Sequence, residues 1–306
     1  MVVDWSNQLL RSLLFAPGNQ PRKVAKVASF GADAIVLDLE DAVAVGEKEG
    51  ARAPVRAALP TYRDTVVMVR VNALSTGLGL ADLDAVVCPA LDAVLVPKVD
   101  DPAILQKVDR HLATLEARAG IPVGTIRLLP TVETALGILR VDDIARRAPG
   151  RVHTLIFGLA DFTTDLGVDL TRDATELLYA RSRVAVACRA TGLAPPIDGP
   201  YLIDLHDHDG LIADSQRGRQ LGFQGRVVIY PPQVEPTNIA YSFVPDEEVA
   251  AAREIIQAFE AAEAAGSAAI RIAGTFVDYP VYRRALHKLR LHERVEGKNR
   301  ESGSHG

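Results

Sequence analysis

The sequence predicts an α/β protein, a (β/α)₈ TIM barrel with a C-terminal helical extension. Short apolar runs rich in β-branched residues recur along most of the chain, and helix-like amphipathic stretches separate them. The apolar runs are continuous rather than alternating, which is typical of parallel strands that helices cover on both faces. Eight such units in about 230 residues favour a closed barrel over an open, doubly wound sheet.

The predicted strands are, in chain order, SLLFAPG, AIVLDLED, TVVMVRVN, DAVLVPKV, TIRLLPTVET, HTLIFGLADF, GLAPPIDGPY and RVVIYPPQ. The seventh is the weakest candidate, and counting it completes the eight. Amphipathic stretches between them include QPRKVAKVASFG, ADLDAVVCPAL, PAILQKVDRHLATLEARAG and ATELLYARSRVAVACRATG, whereas HDHDG at 206–210 is predicted to be a polar loop. No Gly-x-Gly-x-x-Gly follows the first strand, which argues against a dinucleotide-binding sheet.

Two parts of the chain are expected: a catalytic barrel over residues 1–239 and a helical extension over 240–306, packed outside the barrel. The extension contains the helical pattern DEEVAAAREIIQAFEAAEAA and then AIRIAGTFVDYPVYRRALHKLR, which ends in another helix. The final residues, EGKNRESGSHG, are polar and glycine-rich, and we expect them to form a loose tail.

Composition excludes several classes of protein. With 306 residues and 48% hydrophobic residues the chain can bury a large core, and its net charge of −5 gives no general attraction to nucleic acid or anionic membranes. No signal peptide and no apolar stretch long enough to span a membrane is found. The two cysteines, Cys88 and Cys188, lie far apart, which indicates reduced, buried thiols in a cytoplasmic protein.

Polar side chains follow the apolar run at one end of six predicted strands. They are Asp38, Glu40, Asp41, Arg70, Asn72, Lys98, Glu133, Asp161 and Gln233. Each one alone is as readily explained as a helix N-cap or an ion-pair partner. The C-terminal ends of all strands of a barrel converge on one face, however, and that face carries the chemistry. Six strands that end in this way therefore indicate a functional site.

The acidic residues of this set are all hard oxygen donors, with no histidine or cysteine cluster among them. His153 begins a predicted strand rather than ending one. Oxygen ligands indicate Mg²⁺ or Mn²⁺ rather than Zn²⁺. Glu133 and Asp161 are the predicted direct ligands, and Glu40 and Asp41 are predicted to orient the waters of the metal. Such a cation would also make the crowding of carboxylates in LDLEDAV tolerable.

The motifs that carry these residues resemble the citrate lyase β-subunit and malyl-CoA lyase branch of the HpcH/HpaI aldolase family. They include RSLLFAPG, GADAIVLDLEDAV, VRVN, VPK, ETALG, FGLADF, DGPY and GTFVDYP. The resemblance implies a Mg²⁺-dependent TIM barrel that makes or breaks a carbon–carbon bond in malyl-, methylmalyl-, citramalyl- or citryl-CoA thioesters. The partners would be an acyl-CoA and a 2-oxoacid such as glyoxylate, pyruvate or oxaloacetate, and the protein would form a homotrimer or a hexamer.

The same resemblance assigns roles to individual residues. It places the metal on Glu133 and Asp161, and it makes Arg70 the contact to the 2-oxoacid and to the thioester carbonyl. It implies CoA contacts for Phe15 and Lys26. Two further cofactor contacts are expected: Arg22 lies close to Gln20, which replaces a family arginine, and Lys98 belongs to the VPK motif. Tyr230 also departs from the family, which has histidine there.

The segment GTFVDYPVYRRA resembles the C-terminal lid of malyl-CoA and citramalyl-CoA lyases. This implies that Asp278 is the proton-transfer group, supplied by a neighbouring subunit; the alternative is that it caps the helix beginning near Pro280. The segment favours a CoA-thioester enzyme over an acyl-carrier-bound lyase subunit.

Other functions remain open at this stage. They are a CoA-independent class II aldolase acting on free 2-oxo-hydroxyacids, hydrolysis of the thioester after condensation, and a non-catalytic homologue that binds a thioester. The joint presence of Arg70, Glu133, Asp161 and Asp278 argues against the non-catalytic homologue.

Overall fold

The structure, a computed structural model, describes residues 3–62, 64–242, 245–272 and 274–303 of the chain, with side chains as far as Lys298. The chain divides into two compact units, Met1–Tyr241 and Ser242–Gly306.

The first unit is a closed barrel of eight parallel strands, so the predicted fold class is confirmed. The sheet closes because β1 pairs with both β2 and β8. The seventh strand is present although it has two residues. The strands are β1 Ser12–Pro17, β2 Ala34–Asp38, β3 Val66–Arg70, β4 Ala93–Val96, β5 Arg127–Val132, β6 Ile156–Phe157, β7 Ile197–Asp198 and β8 Gly225–Val228.

Nine α-helices of the described chain accompany these strands: α1 Pro21–Lys26, α2 Lys48–Ala58, α3 Gly79–Val86, α4 Pro102–Arg118, α5 Ala135–Arg146, α6 Leu159–Leu166, α7 Leu178–Thr191, α8 His208–Gln220 and α9 Val234–Ser242. Asp101 and Asp207 cap α4 and α8 through their side chains. The predicted loop HDHDG is therefore wrong from His208 onward. The Asp207 carboxylate accepts from the Gly210 N–H at 2.9 Å, which starts a helix in a sequence without apolar periodicity.

Side chains alternate between two apolar layers along each strand. Inside the barrel lie residues such as Leu13, Val36 and Met68, and their neighbours Leu14 and Leu37 pack outward with the helices. The same period of two places a further set at inward-facing positions towards the C-terminal ends of the strands. That set is Phe15, Asp38, Arg70, Glu133, Gly158, Gly199 and Ile229. The barrel alternation therefore directs the predicted site residues towards one end of the axis.

A buried ion-pair cluster lies behind β7 and β8. Arg181 donates two hydrogen bonds of 2.9 Å to Asp214 and one of 3.3 Å to Asp198. Arg226 donates to the same Asp214 at 2.8 Å and to the Gly199 carbonyl at 3.0 Å. The cluster links two helices to the sheet where β6 and β7 pair through Ile156 and Ile197 alone.

The second unit consists of two helices and a hairpin. Helix α10 (Asp246–Ala264) is followed by the antiparallel strands β9 (Ile270–Ile272) and β10 (Thr275–Val277) and by helix α11 (Tyr279–Gly303). The expected loose tail is wrong as far as Gly303, because α11 continues to that residue; residues 304–306 lie outside the described residues.

Cys88 and Cys188 are both buried and unbridged, as predicted. None of the helices in the described ranges combines the length and the apolar composition that a membrane crossing requires.

His153 lies at the N-terminal end of the barrel, before β6, and so at the end opposite to the acidic strand ends. Its ring contacts that of Trp5 at 4.9 Å between centroids. Burial, together with the charge of Arg127, lowers the pKa of His153 to about 4. This histidine is therefore neutral in the folded protein at neutral pH.

We expect His153 to make the protein less stable in mild acid. Because its pKa is lower in the folded state, the unfolded chain takes up the proton first as pH falls below about 6.5. From this group alone, the free energy of unfolding has its full value above pH 7. It is about 2 kcal/mol lower at pH 5 and about 3 kcal/mol lower below pH 4. His153→Gln should reduce that dependence in urea unfolding at pH 7 and pH 5, and His111→Gln is the control. If the difference in unfolding free energy between pH 7 and pH 5 is the same in His153→Gln as in the wild type, the role of His153 is contradicted.

Candidate active site

Asp38 is the first member of the acidic stretch, and its carboxylate is fully hydrogen-bonded. One oxygen accepts from Arg70 Nε at 2.7 Å and from the Glu40 N–H at 2.9 Å. The other accepts from Arg70 Nη2 at 2.6 Å and from the Ala42 N–H at 3.0 Å. A hydrated cation is therefore the wrong explanation for Asp38, whose charge is balanced by an arginine and two backbone amides.

The pairing with Asp38 holds the Arg70 guanidinium in one orientation. Its Nη1 lies 3.1 Å from Glu40 Oε2, and its central carbon lies 5.0 Å from the centre of the Phe15 ring. Burial alone would lower the pKa of Arg70, but the hydrogen bonds and charges of Asp38, with the charge of Glu40, raise it above its ordinary value. Arg70 is thus a permanent and well-positioned cation.

A buried polar network supports the loop after β2 from behind. Lys48 Nζ donates to the Glu40 carbonyl and to Asn72 Oδ1, both at 2.6 Å. The amide group of Asn72 donates at 2.8 Å to Asp82, which also accepts from Arg52 at 2.7 Å. Asn72 therefore supports the site from outside it, in contrast to what its strand-end position suggested. Sequence reasoning missed Lys48 and Asp82, because polar residues in amphipathic helices give no sign that they are buried.

Glu133 is buried after β5, and two features of the backbone fix it. Its Oε1 accepts from the Lys98 N–H at 2.6 Å, and Lys98 has a left-handed backbone with φ of 53°. A Cβ on Gly158 would lie 2.4 Å from both Cβ and Oε2 of Glu133, so only glycine fits there. Burial, aided by the charges of Glu40 and Asp161, raises the pKa of Glu133 to about 8.

Three further charged side chains surround Glu133. Lys98 Nζ lies 3.9 Å from Glu40 Oε1 and 3.8 Å from Asp161 Oδ2. Burial raises the pKa of Glu40 to about 7, although Arg70 opposes the shift. Asp161 lies in the first turn of α6 and Asp41 is exposed beside Glu40. Carboxylates from three chain segments, those after β2, β5 and β6, are therefore concentrated around one region.

The donor set suits a hard divalent cation. Glu40 Oε2, although close to Arg70, makes no hydrogen bond of good geometry within the described residues, so a buried oxygen remains available. Across the described ranges no three carboxylate, histidine or cysteine side chains lie close enough to hold a metal by themselves. Mg²⁺ meets this condition, since it commonly takes one or two carboxylates and completes its shell with waters and substrate oxygens.

The remaining predicted residues lie elsewhere. Arg22 and Lys26 are exposed one turn apart on α1. Gln233 is buried and donates to the Leu205 carbonyl at 3.3 Å, which is a structural role. Asp278 belongs to the second unit, where its carboxylate accepts from the Val281 N–H at 3.2 Å and so caps α11. Tyr230, at the end of β8, packs edge-to-face against His206.

Comparison with known families identifies the barrel. Residues 11–231 match the model of the HpcH/HpaI aldolase/citrate lyase family, which is most of the chain. The chain belongs to this family. The resemblance predicted from the sequence motifs is thereby confirmed.

Several known proteins are similar to this chain over nearly their whole length. Citrate lyase subunit beta of Leuconostoc mesenteroides subsp. cremoris is 36% identical over 94% of this chain and 94% of that protein. The (3S)-malyl-CoA thioesterase of Cereibacter sphaeroides is 37% identical over 88% of this chain and 89% of that protein. The mitochondrial citramalyl-CoA lyase of Rattus norvegicus is 32% identical over 94% of this chain and 87% of that protein.

Solved structures share the fold. CitE of Mycobacterium tuberculosis in complex with magnesium, acetoacetate and coenzyme A has a TM-score of 0.74 and 26% identity, and the match covers 94% of this chain and 99% of that chain. A citrate lyase from Burkholderia xenovorans reaches a TM-score of 0.82 at 23% identity over 94% and 92% of the two chains, a likeness of fold alone.

As a member of the HpcH/HpaI family with lyases among its relatives, the protein is an enzyme of the carbon–carbon lyase class, as predicted. The match to the citrate lyase subunit leaves only 6% of this chain, about 18 residues, outside it. Most of residues 242–306 therefore have counterparts in a citrate lyase subunit. The C-terminal segment does not by itself distinguish the CoA-dependent lyases from such subunits.

We expect Gly158→Ala to displace Glu133, because the added methyl group would overlap its side chain. Overpacking of this kind costs about 1–3 kcal/mol, which should lower the melting temperature by several degrees. Gly150→Ala is the matched control, since a Cβ there meets nothing within 4 Å. Equal melting temperatures of the two variants would show that Glu133 has more freedom than the structure indicates.

Proposed function

We propose that this enzyme cleaves or forms a 3-hydroxyacyl-CoA thioester of the malyl-, methylmalyl-, citramalyl- or citryl-CoA type, giving an acyl-CoA and a 2-oxoacid, with Mg²⁺ or Mn²⁺ as cofactor. The observation that carries the proposal is the clustering of Glu40, Glu133, Asp161 and Arg70 around Lys98 at the C-terminal ends of the strands. Relatives named as citramalyl-CoA lyase and (3S)-malyl-CoA thioesterase support the substrate class. CitE of M. tuberculosis supports the cofactor and the CoA.

Glu133 and Asp161 are the residues that would hold the metal. When bound there, Mg²⁺ supplies a Lewis acid that polarises the carbonyl of the 2-oxoacid. Glu40 and Asp41 would accept hydrogen bonds from waters beside it and so orient them. Lys98 N–H keeps one oxygen of Glu133 occupied, which leaves the other to face the ligand.

Arg70 supplies the fixed positive charge that the reaction needs. Asp38 takes its Nε and one Nη2 hydrogen, so the remaining N–H groups point in known directions. In cleavage a neighbouring carboxylate accepts the proton of the C3 hydroxyl group, and the C3–O bond becomes the carbonyl of the 2-oxoacid. The C2–C3 bond breaks, and its electron pair passes to the thioester as an enolate. A donor preorganised in this way stabilises the enolate oxygen without reorganisation.

The enolate must then take a proton at its α-carbon. Asp278 is our candidate for this acid, supplied by a neighbouring copy in a trimer or hexamer, as the resemblance implies. Its cap on α11 is compatible with that role, since the Val281 N–H occupies only one carboxylate oxygen. We propose that CoA contacts Phe15, Arg22 and Lys26. The side chains of Arg22 and Lys26 are exposed one helical turn apart on α1 and would bind the phosphates of CoA.

Thioester hydrolysis after condensation is a second candidate. The observation in its favour is the 37% identity to a (3S)-malyl-CoA thioesterase. The two activities differ in one product, because hydrolysis releases a free acid and CoA, whereas cleavage of the carbon–carbon bond keeps the thioester intact.

The decisive test is an assay of the pure protein with acetyl-CoA or propionyl-CoA against glyoxylate, pyruvate and oxaloacetate, with and without Mg²⁺. Chromatography resolves acyl-CoA from free acids and CoA. We expect a 3-hydroxyacyl-CoA product that forms only with the cation, and a loss of more than 10²-fold in Glu133→Gln but not in Glu49→Gln. Undiminished activity in excess chelator would exclude the metal assignment, and CoA release would identify a thioesterase.

Asp278→Asn separates catalysis from capping. Asparagine retains the capping acceptor, so the melting temperature should change little, while loss of the acid should slow turnover by about 10²–10⁴-fold. Asp101→Asn is the control, because Asp101 caps α4 in the same way with a 2.8 Å bond. Normal turnover of Asp278→Asn would leave this aspartate with the capping role alone.

A further inference from the structure

Lys98 occupies an unusual place for a residue expected to contact CoA. Its Nζ lies 3.9 Å from Glu40 Oε1 and 3.8 Å from Asp161 Oδ2. Both distances are longer than a direct hydrogen bond. Its side chain is 41% exposed. Such loose and solvated pairs contribute little binding free energy, so the ammonium can leave its place readily.

The backbone of Lys98 serves a separate purpose. The left-handed φ of 53° turns its N–H towards Glu133, and this conformation is unfavourable for any residue with a Cβ. The turn also brings the side chain over the carboxylates rather than towards the helices. The backbone N–H and the side-chain ammonium of Lys98 therefore lie beside carboxylates of the same acidic cluster.

Charge explains why a lysine is useful there. Five carboxylates lie at this end of the barrel: Asp38, Glu40, Asp41, Glu133 and Asp161. Among the described residues, ion pairs to their carboxylate oxygens come from Arg70, which pairs with Asp38 and Glu40, and from Lys98, which pairs with Glu40 and Asp161. The Lys48 ammonium reaches Glu40 only at its main-chain carbonyl. Arg70 uses Nε and Nη2 for Asp38 and Nη1 for Glu40, and no ion pair joins it to Glu133 or Asp161 within the described residues. Without another cation, repulsion among the remaining carboxylates would act against their assembly.

We propose that Lys98 is the resident counter-cation of the metal site. Its ammonium keeps Glu40 and Asp161 together in the metal-free enzyme and is repelled when a divalent cation binds to the same carboxylates. This rests on the metal site of the proposed function and replaces the assignment of Lys98 to CoA. Removing the charge should then tighten cation binding, which is the opposite of what loss of a supporting residue would do.

The experiment measures Mn²⁺ affinity of the full-length enzyme without substrate, by electron paramagnetic resonance of the free ion. Lys98→Met removes the charge and keeps most of the stem. Lys98→Gly also removes the charge but accepts the left-handed backbone without strain. Lys98→Arg keeps a charge, and Lys107→Met removes an exposed lysine from α4.

We expect Lys98→Met and Lys98→Gly to bind Mn²⁺ about tenfold more tightly than the wild type at low salt, with a smaller difference at high salt. Both neutral variants should gain more in melting temperature from Mn²⁺ than the wild type gains, each compared with its own metal-free form. Lys98→Arg and Lys107→Met should stay within about twofold of wild type. Unchanged or weaker affinity of both neutral variants, with the wild type binding normally, overturns the role of Lys98. Absence of Mn²⁺ binding in every protein instead overturns the metal site itself.

Discussion

The pairing of Arg70 with Asp38 is the interaction on which the candidate site depends. It joins the ends of two adjacent strands, β2 and β3, through two short hydrogen bonds from the half-buried Arg70 to the fully buried Asp38 carboxylate. Breaking one partner of such a pair leaves an uncompensated buried charge, which is far more costly than the pair is favourable. The arginine is therefore held rigidly enough to present its other N–H groups to a ligand, and the loop that carries Glu40 is held by the same carboxylate.

Because of this pairing, the two sides of the site differ in how their charges are balanced. On the side of β2 and β3 the charges satisfy one another, with Lys48 and Asn72 filling the space behind. Towards β5 and β6 they do not. Glu133 follows β5, and Glu40, in the loop after β2, has its Oε1 3.9 Å from Lys98 Nζ. Both are buried carboxylates, and their pKa values rise to about 8 and about 7. Burial makes charged carboxylates unfavourable unless a cation compensates them. One half of the site is thus preorganised by the protein, and the other half fits the cation that we propose to bind there.

Much of the fold and of the arrangement of the candidate site could be predicted from the sequence. The features that could not be predicted have identifiable causes. The proximity of strand-end residues such as Glu133 and Asp161 was predictable because a closed barrel brings all strand ends to one face, whatever their distance along the chain. The partner of Asp38 could not be found in this way, because it depends on the register that places Asp38 beside Arg70. The left-handed turn at Lys98 was equally hidden, since no glycine or asparagine marks it. The start of α8 and the continuation of α11 were missed because capping, and not apolar periodicity, determines the first, and a polar, glycine-containing sequence concealed the second.

The hydrogen-bond ladder of the barrel is uneven, and this has a consequence for its local stability. Between β2 and β3 five residue pairs are in register, whereas β6 and β7 share one. Behind this thin sector the sheet is fastened by the side-chain charges of Arg181, Asp214 and Arg226. A sector with few backbone hydrogen bonds opens at a lower free energy than the rest of a domain. We therefore expect the amide hydrogens of β6, the strand that precedes Asp161, to exchange with solvent sooner than those of β2 and β3 on the Arg70 side.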